Sequence, residues 1–456
     1  MKIFMAPSLL SFAYGLVCLW LLPCFMTEPT HLSFPLTYRD AKTSKLQASK
    51  SAGLPENLHM KEFIEAGIAM RERMDESRGP ASVMGQFSYL KENVGDFYLT
   101  ISVGNPPQHV ILTLDTGSEL TWIQCKPCKV CSTSGGPSFS FNNSASYMPI
   151  PCVSPLCTQS LGFSSGCSNS SGMCVFQLQY GDGSVDAGYI SVDAFHLNGR
   201  TSKPIVFGCA TIDIDTVPVP TSGIMGLNAG PFSFPSQIFS AGSDVSKKFA
   251  YCLPDRYRNL NKGGTILFGE YNITGANFSY TPLVPPYGPV GDLYYFVDMQ
   301  GISVGDHYME VKAHMKSESM EVGGTIFDSG TAVTHLMKNL HEKLVSEIRR
   351  QTMNLSPFAM NGSASDVCYR VPMNTTELPK LPLVTMHFQS GVDLELGPES
   401  LLYPTGYDAQ GIVLCLAFIS SQSGIPFNII GNYQQQNYWV EYNLQSSRLG
   451  LVKASC

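Results

Sequence analysis

Short runs of β-branched and aromatic residues, separated by turn-forming residues, dominate the chain from about Phe87 onward. Phe97 to Val103 and His109 to Leu114 are two such runs, and Gly104-Asn105-Pro106-Pro107 between them is a turn signal. This pattern predicts an all-β body. The first part of the chain reads differently: Leu9 to Phe25 is a continuous apolar run preceded by a single positive charge, Lys2. Lys42 to Lys50 is polar and basic, and Met60 to Arg78 is charged and compatible with a helix. The character changes near Gln86, where the mature fold is expected to start.

The β-rich body contains an internal echo. Ile111-Leu112-Thr113-Leu114-Asp115-Thr116-Gly117-Ser118 is answered by Gly324-Thr325-Ile326-Phe327-Asp328-Ser329-Gly330-Thr331. Each copy ends an apolar strand on Asp-Thr/Ser-Gly. Each is followed by an apolar pair and a glycine, Ile224-Met225-Gly226 and Ile429-Ile430-Gly431, at glycine-to-glycine spacings of 109 and 101. A repeat on this scale predicts two similar lobes.

The chain has 456 residues, 44% of them hydrophobic and only 14% charged, with 41 Gly and 30 Pro. That length exceeds one ordinary domain, and the balance of residues favours many short strands over surface helices. The formal charge is -7; setting aside the 9 basic and 8 acidic residues before Gln86 leaves 20 Lys and Arg against 28 Asp and Glu. An acidic body argues against nucleic acid as a partner. It also loses self-repulsion as carboxylates protonate, so acid surroundings are tolerable.

Residues 1–26 read as a secretory signal peptide. A retained membrane anchor is the alternative, disfavoured because the apolar run is slightly short of a bilayer span. Of 14 cysteines, Cys18 and Cys24 fall in this leader, and the remaining 12 can form six disulfides. Seven cysteines lie between Asp115 and Tyr180: Cys125, Cys128, Cys131, Cys152, Cys157, Cys167 and Cys174. Because seven is odd, at least one must pair with Cys209, Cys252, Cys368, Cys415 or Cys456. A zinc site on the Cys-x-x-Cys-x-x-Cys run is the rival reading, and export with an even total favours disulfides. Seven Asn-x-Ser/Thr acceptors, Asn142, Asn169, Asn272, Asn277, Asn354, Asn361 and Asn374, agree with export.

An Asp-Thr/Ser-Gly tripeptide alone suits an ordinary turn. Two copies on similar strands with similar downstream partners point to chemistry. Two carboxylates at hydrogen-bond distance cannot both ionise cheaply, so they share a proton and titrate as a unit. A water between Asp115 and Asp328 can then be deprotonated by the first while the second protonates a peptide carbonyl oxygen. No metal or cofactor is required. Gly117 and Gly330 let backbone N–H groups approach the carboxylates, and the Thr116 and Ser329 hydroxyls can bond across to the opposite loop.

These motifs, Asp-Thr-Gly-Ser-Glu-Leu-Thr-Trp (115 to 122), Phe-Asp-Ser-Gly-Thr (327 to 331) and Ile-Ile-Gly-Asn (429 to 432), resemble those of the pepsin-type aspartic proteases. Tyr-Gly-Asp-Gly-Ser (180 to 184), Gln-Cys-Lys-Pro-Cys (124 to 128), Phe-Gly-Cys (207 to 209) and Gly-Asn-Tyr-Gln-Gln-Gln-Asn (431 to 437) resemble the nepenthesin-like plant branch. The match runs from about Gly95 to Cys456. The resemblance implies a bilobed pepsin-like fold with the active site in the cleft between two β-rich lobes. It implies that Tyr180 is a flap tyrosine closing over substrate, that Ser118 and Trp122 support it, and that Thr331 touches the substrate backbone. It also implies a cysteine-rich insert after the first aspartate and a Cys368–Cys415 bridge. Asn228-Ala229, Asn443 and Asn105 depart from the usual family residues and bear on subsite preference rather than on the aspartates.

Leu36-Thr37-Tyr38-Arg39-Asp40 resembles a propeptide motif of the same branch, so residues 27–85 are expected to be a propeptide. Its eight basic residues from Arg39 to Arg78 could lodge a cation between the ionised aspartates. Residues 86–285 are the expected first lobe, with Asp115, flap and insert, and 286–456 the second, with Asp328. The expected protein is a secreted monomeric endopeptidase acting on proteins or peptides in acid, held inactive by its own propeptide, and free of the membrane once the signal is removed. No hydrophobic anchor tail follows Val452 to Cys456. Its destination is the extracellular space, with the vacuole as the alternative. A catalytically dead pepsin-fold inhibitor of glycan-degrading enzymes is the competing function, disfavoured because both aspartate motifs and Tyr180 are intact.

Overall fold

The computed structural model describes residues 31–38, 88–89, 97–131, 136–158, 164–181, 183–197, 200–214, 221–240, 246–255, 264–285, 293–311, 323–359, 367–372, 377–408, 410–421, 425 and 427–456. The expected signal peptide, and all of the expected propeptide except 31–38, lie outside them. The described body is built on strands, with one long helix, Lys338–Gln351.

The first lobe follows from alternation. In the strand Phe97–Val103, Phe97, Leu99, Ile101 and Val103 are buried and the intervening residues are not, the period-2 pattern of a sheet with one covered face. A turn at Gly104, held at φ +91°, returns the chain into Gln108–Asp115. That backbone conformation favours glycine, and a Cβ there would also meet the Ser144 hydroxyl. Along Gln108–Asp115 burial becomes continuous towards Asp115, and the strand is paired on both edges, with Phe97–Val103 and with the parallel strand Gly223–Gly226. Trp122–Lys126, the long hairpin Val185–Leu197 with Arg200–Ile214, and Cys174–Gln179 complete the lobe. Its core carries Phe139, Phe195, Phe207 and Phe234, all fully buried. Each such ring contributes roughly 2–3 kcal/mol.

The second lobe repeats the central motif on a smaller scale. Thr325–Phe327 runs parallel to Asn428–Ile430, which pairs in turn with Thr334–Leu336. The helix Lys338–Gln351 packs beside them through buried Leu340, Leu344, Val345 and Ile348, positions spaced to form one apolar face. Two four-stranded sheets complete it.

A shared sheet joins the halves. Lys248–Cys252 and Gly264–Gly269 pair with each other, and Lys248–Cys252 pairs also with Tyr438–Asn443 from the chain's end. Both expected lobes therefore contribute to one layer, and Ser279–Pro282 joins it through Arg448–Lys453. Ser88–Tyr89, which the sequence reading puts in the first lobe, pair instead with Leu402–Asp408 of the second. His31–Tyr38, within the expected propeptide, is a strand of the shared sheet, antiparallel to Gly264–Gly269 and touching Phe97–Tyr98.

Six disulfides are present among the described residues: Cys125–Cys209, Cys128–Cys131, Cys152–Cys167, Cys157–Cys174, Cys252–Cys456 and Cys368–Cys415. The seven-cysteine stretch thus closes three bridges within itself and sends Cys125 out to Cys209. The thiols proposed for the rival zinc site are all consumed in bridges.

Candidate active site

Asp115 ends its strand beside Gly226, and Asp328 follows Thr325–Phe327 beside Ile430. Backbone bonds fix both: Leu227 N donates to the Asp115 carbonyl at 2.8 Å, and Asp328 N to the Ile430 carbonyl at 2.9 Å. The downstream apolar pair is therefore the wall against which each aspartate is seated. Both carboxyls are almost wholly buried, each residue 7% exposed.

Their hydrogen bonds are near copies. Gly117 N donates to Asp115 Oδ1 at 2.8 Å, and Gly330 N to Asp328 Oδ1 at 2.9 Å. The second oxygen of each accepts from a hydroxyl: Ser118 Oγ for Asp115, and Thr331 Oγ1 at 2.5 Å for Asp328. The two loops also grip each other. Thr116 N donates to Ser329 Oγ at 3.1 Å and Ser329 N to Thr116 Oγ1 at 2.9 Å. Thr116 Oγ1 donates to the Phe327 carbonyl at 3.0 Å and Ser329 Oγ to the Leu114 carbonyl at 2.9 Å. Four reciprocal bonds between buried groups hold the carboxyls face to face. The glycines are required by space, since a Cβ on Gly117 would lie 2.7 Å from Asp328 Oδ2 and one on Gly330 would strike the Asp115 carboxyl.

Burial, and then the charge of Asp328, push the Asp115 carboxyl well above the usual carboxylate range; the bonds from Ser118 and Gly117 oppose this. Two carboxyls this close cannot both ionise cheaply and are able to share a proton. Burial and then both carboxylates also raise the Tyr294 phenol, to about 12, which marks Tyr294 as a wall residue near the pair.

Tyr180 follows Cys174–Gln179 in a tight turn, with Gly183 N donating to the Tyr180 carbonyl at 3.0 Å. Its hydroxyl accepts from Trp122 Nε1 at 2.7 Å. Burial first, then the charges of Asp186 and Asp115, hold the phenol well above its ordinary value, and hydrogen bonds with Trp122 and Ser118 pull it back. Asp115, Ser118, Tyr180 and Trp122 thus form one connected group.

Every catalytic, supporting and substrate-binding residue predicted from sequence comes together here. Five of the seven acceptor asparagines, Asn142, Asn169, Asn272, Asn277 and Asn354, are exposed, and Asn361 and Asn374 fall outside the described residues. A layer beneath Asp328 was not foreseen. Gln435 Nε2 donates to the Asp328 carbonyl at 3.0 Å, Asn432 Nδ2 to the Ser329 carbonyl at 2.8 Å and Tyr442 OH to the Phe327 carbonyl at 3.0 Å. Tyr251 OH donates to Gln435 Oε1 at 2.5 Å. The available signal was the run Gln434-Gln435-Gln436 beside an apolar strand, three polar residues that are all buried.

Family profiles match both halves: one described as xylanase inhibitor N-terminal over residues 97–270, and one described as xylanase inhibitor C-terminal over 294–453. Aspartyl protease family protein 2 of Arabidopsis thaliana is 34% identical over 373 residues, covering 81% of this chain and 73% of its own. Aspartic proteinase nepenthesin-1 of Nepenthes gracilis is 30% identical over 471 residues, covering 99% of each. Conglutin gamma, a basic 7S globulin from lupine seeds, shares the fold at a TM-score of 0.62 and 18% identity, covering 93% of this chain and 95% of its own. Basic 7S globulin from soybean superposes with a TM-score of 0.61 at 19% identity, over 80% of this chain and 95% of its own.

Proposed function

The chain belongs to the plant pepsin-like aspartic protease family, and on that premise we propose that it is an aspartic endopeptidase hydrolysing peptide bonds in acid between Asp115 and Asp328. The observation that carries the reading is the pair of buried carboxyls facing each other through reciprocal Thr116–Ser329 bonds, with the Tyr180 group alongside. The shared proton leaves one carboxyl of the pair as the base and the other as the acid. The ionised member takes a proton from water as its oxygen attacks the peptide carbonyl carbon, while the protonated member gives its proton to the carbonyl oxygen. On collapse, the first returns a proton to the amide nitrogen, the second recovers one from the gem-diol, and the C–N bond breaks to give acid and amine.

The same reading makes the protein a secreted, glycosylated monomer, extracellular or vacuolar, with a propeptide over residues 27–85. Exposure of five acceptor asparagines and six disulfides support export. The His31–Tyr38 strand supports a propeptide that stays docked until released. The test is digestion of acid-denatured protein by acid-treated full-length enzyme. Product formation abolished by Asp115→Asn or Asp328→Asn supports the reading, and no product from the folded wild type from pH 2 to 5 overturns it.

A second reading has one observation in its favour, the xylanase-inhibitor description of both matching profiles. On it, the cleft is inert and the protein binds a glycan-degrading enzyme. Inhibition of a xylanase by wild type and Asp328→Asn alike, without proteolysis, would select it.

A further inference from the structure

Away from the aspartate pair, one cluster of side chains has the connectivity of an acyl-transfer site. It lies on a four-stranded sheet of the second lobe, in which His307–Glu310, Met299–Val304, Val384–Phe388 and Val392–Leu396 pair in that order. Ile302, Met386 and Leu394 are buried in the core, so alternation turns their neighbours Ser303, His387 and Asp393 to the opposite face. Ser303 is opposite Thr385 in the register and His387 is opposite Asp393, which sets the three on neighbouring strands.

Their polar atoms meet in a line. Ser303 Oγ lies 2.8 Å from His387 Nε2, and His387 Nδ1 lies 2.8 Å from Asp393 Oδ1. A carboxylate only accepts, so Nδ1 carries the hydrogen of the neutral ring; Nε2 is then the acceptor, and Ser303 Oγ donates to it. This is the order of a hydroxyl nucleophile, its base and an orienting carboxylate. A fourth residue stands against the imidazole: the Tyr308 ring centre is 5.5 Å from that of His387, and Tyr308 OH donates to the Gln300 carbonyl at 3.1 Å. Gly301 makes room for that ring, since a Cβ there would strike it. The His387 and Asp393 side chains are 28% and 50% exposed, and Tyr308 is 53% exposed, so a molecule in solution can reach the group.

We propose that Ser303, His387 and Asp393 form a second hydrolytic site, acting on small acyl esters of aromatic alcohols. His387 Nε2 takes the Ser303 hydroxyl proton as Oγ bonds to the ester carbonyl carbon. The tetrahedral intermediate collapses by breaking the bond from that carbon to the alcohol oxygen, which leaves with the proton held by His387. Water then attacks the acyl-Ser303 ester and gives its proton to His387; the acid departs, and Ser303 Oγ recovers that proton. Asp393 keeps the ring in the reactive tautomer and balances its charge while it holds the proton. The departing oxygen must pass beside His387, and the surface there is the exposed Tyr308 ring, which a flat apolar alcohol fits. Ser303 sits in an inner strand paired on both edges, so its backbone N–H is committed to the sheet, and the Thr385 hydroxyl opposite it on the same face is a donor for the carbonyl oxygen. Lack of a backbone donor costs about 10²- to 10³-fold in rate and confines the site to esters with good leaving groups. This chemistry is separate from that of Asp115 and Asp328, whose activated water leaves no covalent adduct.

The full-length protein, at about pH 7.5, should hydrolyse p-nitrophenyl acetate with an initial burst of p-nitrophenol, and peptide mapping by mass spectrometry should find the acetyl group on Ser303. A fluorophosphonate, which reacts with activated serine hydroxyls, should label the same residue. Ser303→Ala should abolish both adducts, and His387→Gln should slow labelling by about 10²-fold with circular dichroism unchanged. If His387→Gln does not fold, Asp393→Asn at a half-exposed position carries the same test, with an expected loss of about 10-fold or more. Neither adduct on Ser303 of the folded wild type overturns the proposal, as does labelling of Ser303 at the wild-type rate in a folded His387→Gln or Asp393→Asn. Ester hydrolysis that survives Ser303→Ala and disappears in His387→Gln also overturns it, because the imidazole would then be acting without a nucleophile.

Discussion

The neighbourhoods of Asp115 and Asp328 begin alike and diverge within a few residues. Both carboxyls accept from a glycine N–H and a hydroxyl, and each loop grips the other. Beyond that, Asp115 connects outward, through Ser118 and Trp122, to Tyr180 on a hairpin tip. Asp328 connects inward, to a buried layer of Gln435, Asn432, Tyr442 and Tyr251. Duplication preserved what aligns the carboxyls and left each lobe to specialise: on the proposed reading, the first carries the hairpin that would move over a substrate, and the second a buried seat.

The largest predicted effect breaks what the lobes share. Asp115→Asn or Asp328→Asn should each lower kcat on a peptide substrate by about 10⁴-fold, and the double variant should be scarcely worse, because the pair acts as a unit. Multiplicative losses would show two independent groups. Pepstatin should block the wild type in the same assay.

Next in size, Gly330→Ala puts a methyl group against the Asp115 carboxyl. It should cost about 10²-fold in kcat/KM by prising the pair apart, with circular dichroism unchanged. Wild-type turnover would show that the loops yield at no cost and that the grip is not rigid.

A smaller effect separates the lobes. Tyr180→Phe removes the acceptor of the Trp122 indole and should lower kcat/KM about 3- to 10-fold, the range set by one hydrogen bond. The corresponding change beneath Asp328, Tyr251→Phe, should cost thermal stability and leave substrate preference unmoved. If Tyr180→Phe behaved the same way, the division into moving and seated halves would fail.

The smallest is a pH effect on stability. Asp115 has its folded value raised above the unfolded one, so the folded state binds more protons between the two values and stability falls as pH rises through that window. Asp115→Asn should therefore raise Tm at pH 7 by about 2–4 °C, with the gain vanishing below about pH 4. An equal shift at both pH values would point to packing rather than ionisation.

The sequence displays one half of this comparison and conceals the other. Asp115, Asp328, their glycines and hydroxyls stand in contiguous motifs, because a tight turn places residues two and three positions on against the carboxyl itself. The lobes were legible from the repeat for the same reason. Gln435, Tyr442 and Tyr251 reach Asp328 and its neighbours across more than seventy residues of chain, through a register that no local pattern encodes. Two long-range pairings were hidden likewise: nothing local in His31–Tyr38 announces its place in the shared sheet beside Gly264–Gly269, or in Ser88–Tyr89 its pairing with Leu402–Asp408.

The bridges divide the chain into covalent territories. Among the described residues, everything before Cys125 lies outside the closed loops of the six bridges, so after a scission there only pairing and packing hold the described strands 31–38 and 97–115 in place. From Cys252 to Cys456 the ends are tied, and a cut inside that span leaves its pieces linked even in denaturant. Between Cys209 and Cys252 no bridge crosses, and one clip there would free the two portions once unfolded. The protein can thus survive a nick in its second half as a two-chain molecule. It migrates as one band until a reductant is added, whereas the stretch from 210 to 251 must be guarded by folding alone.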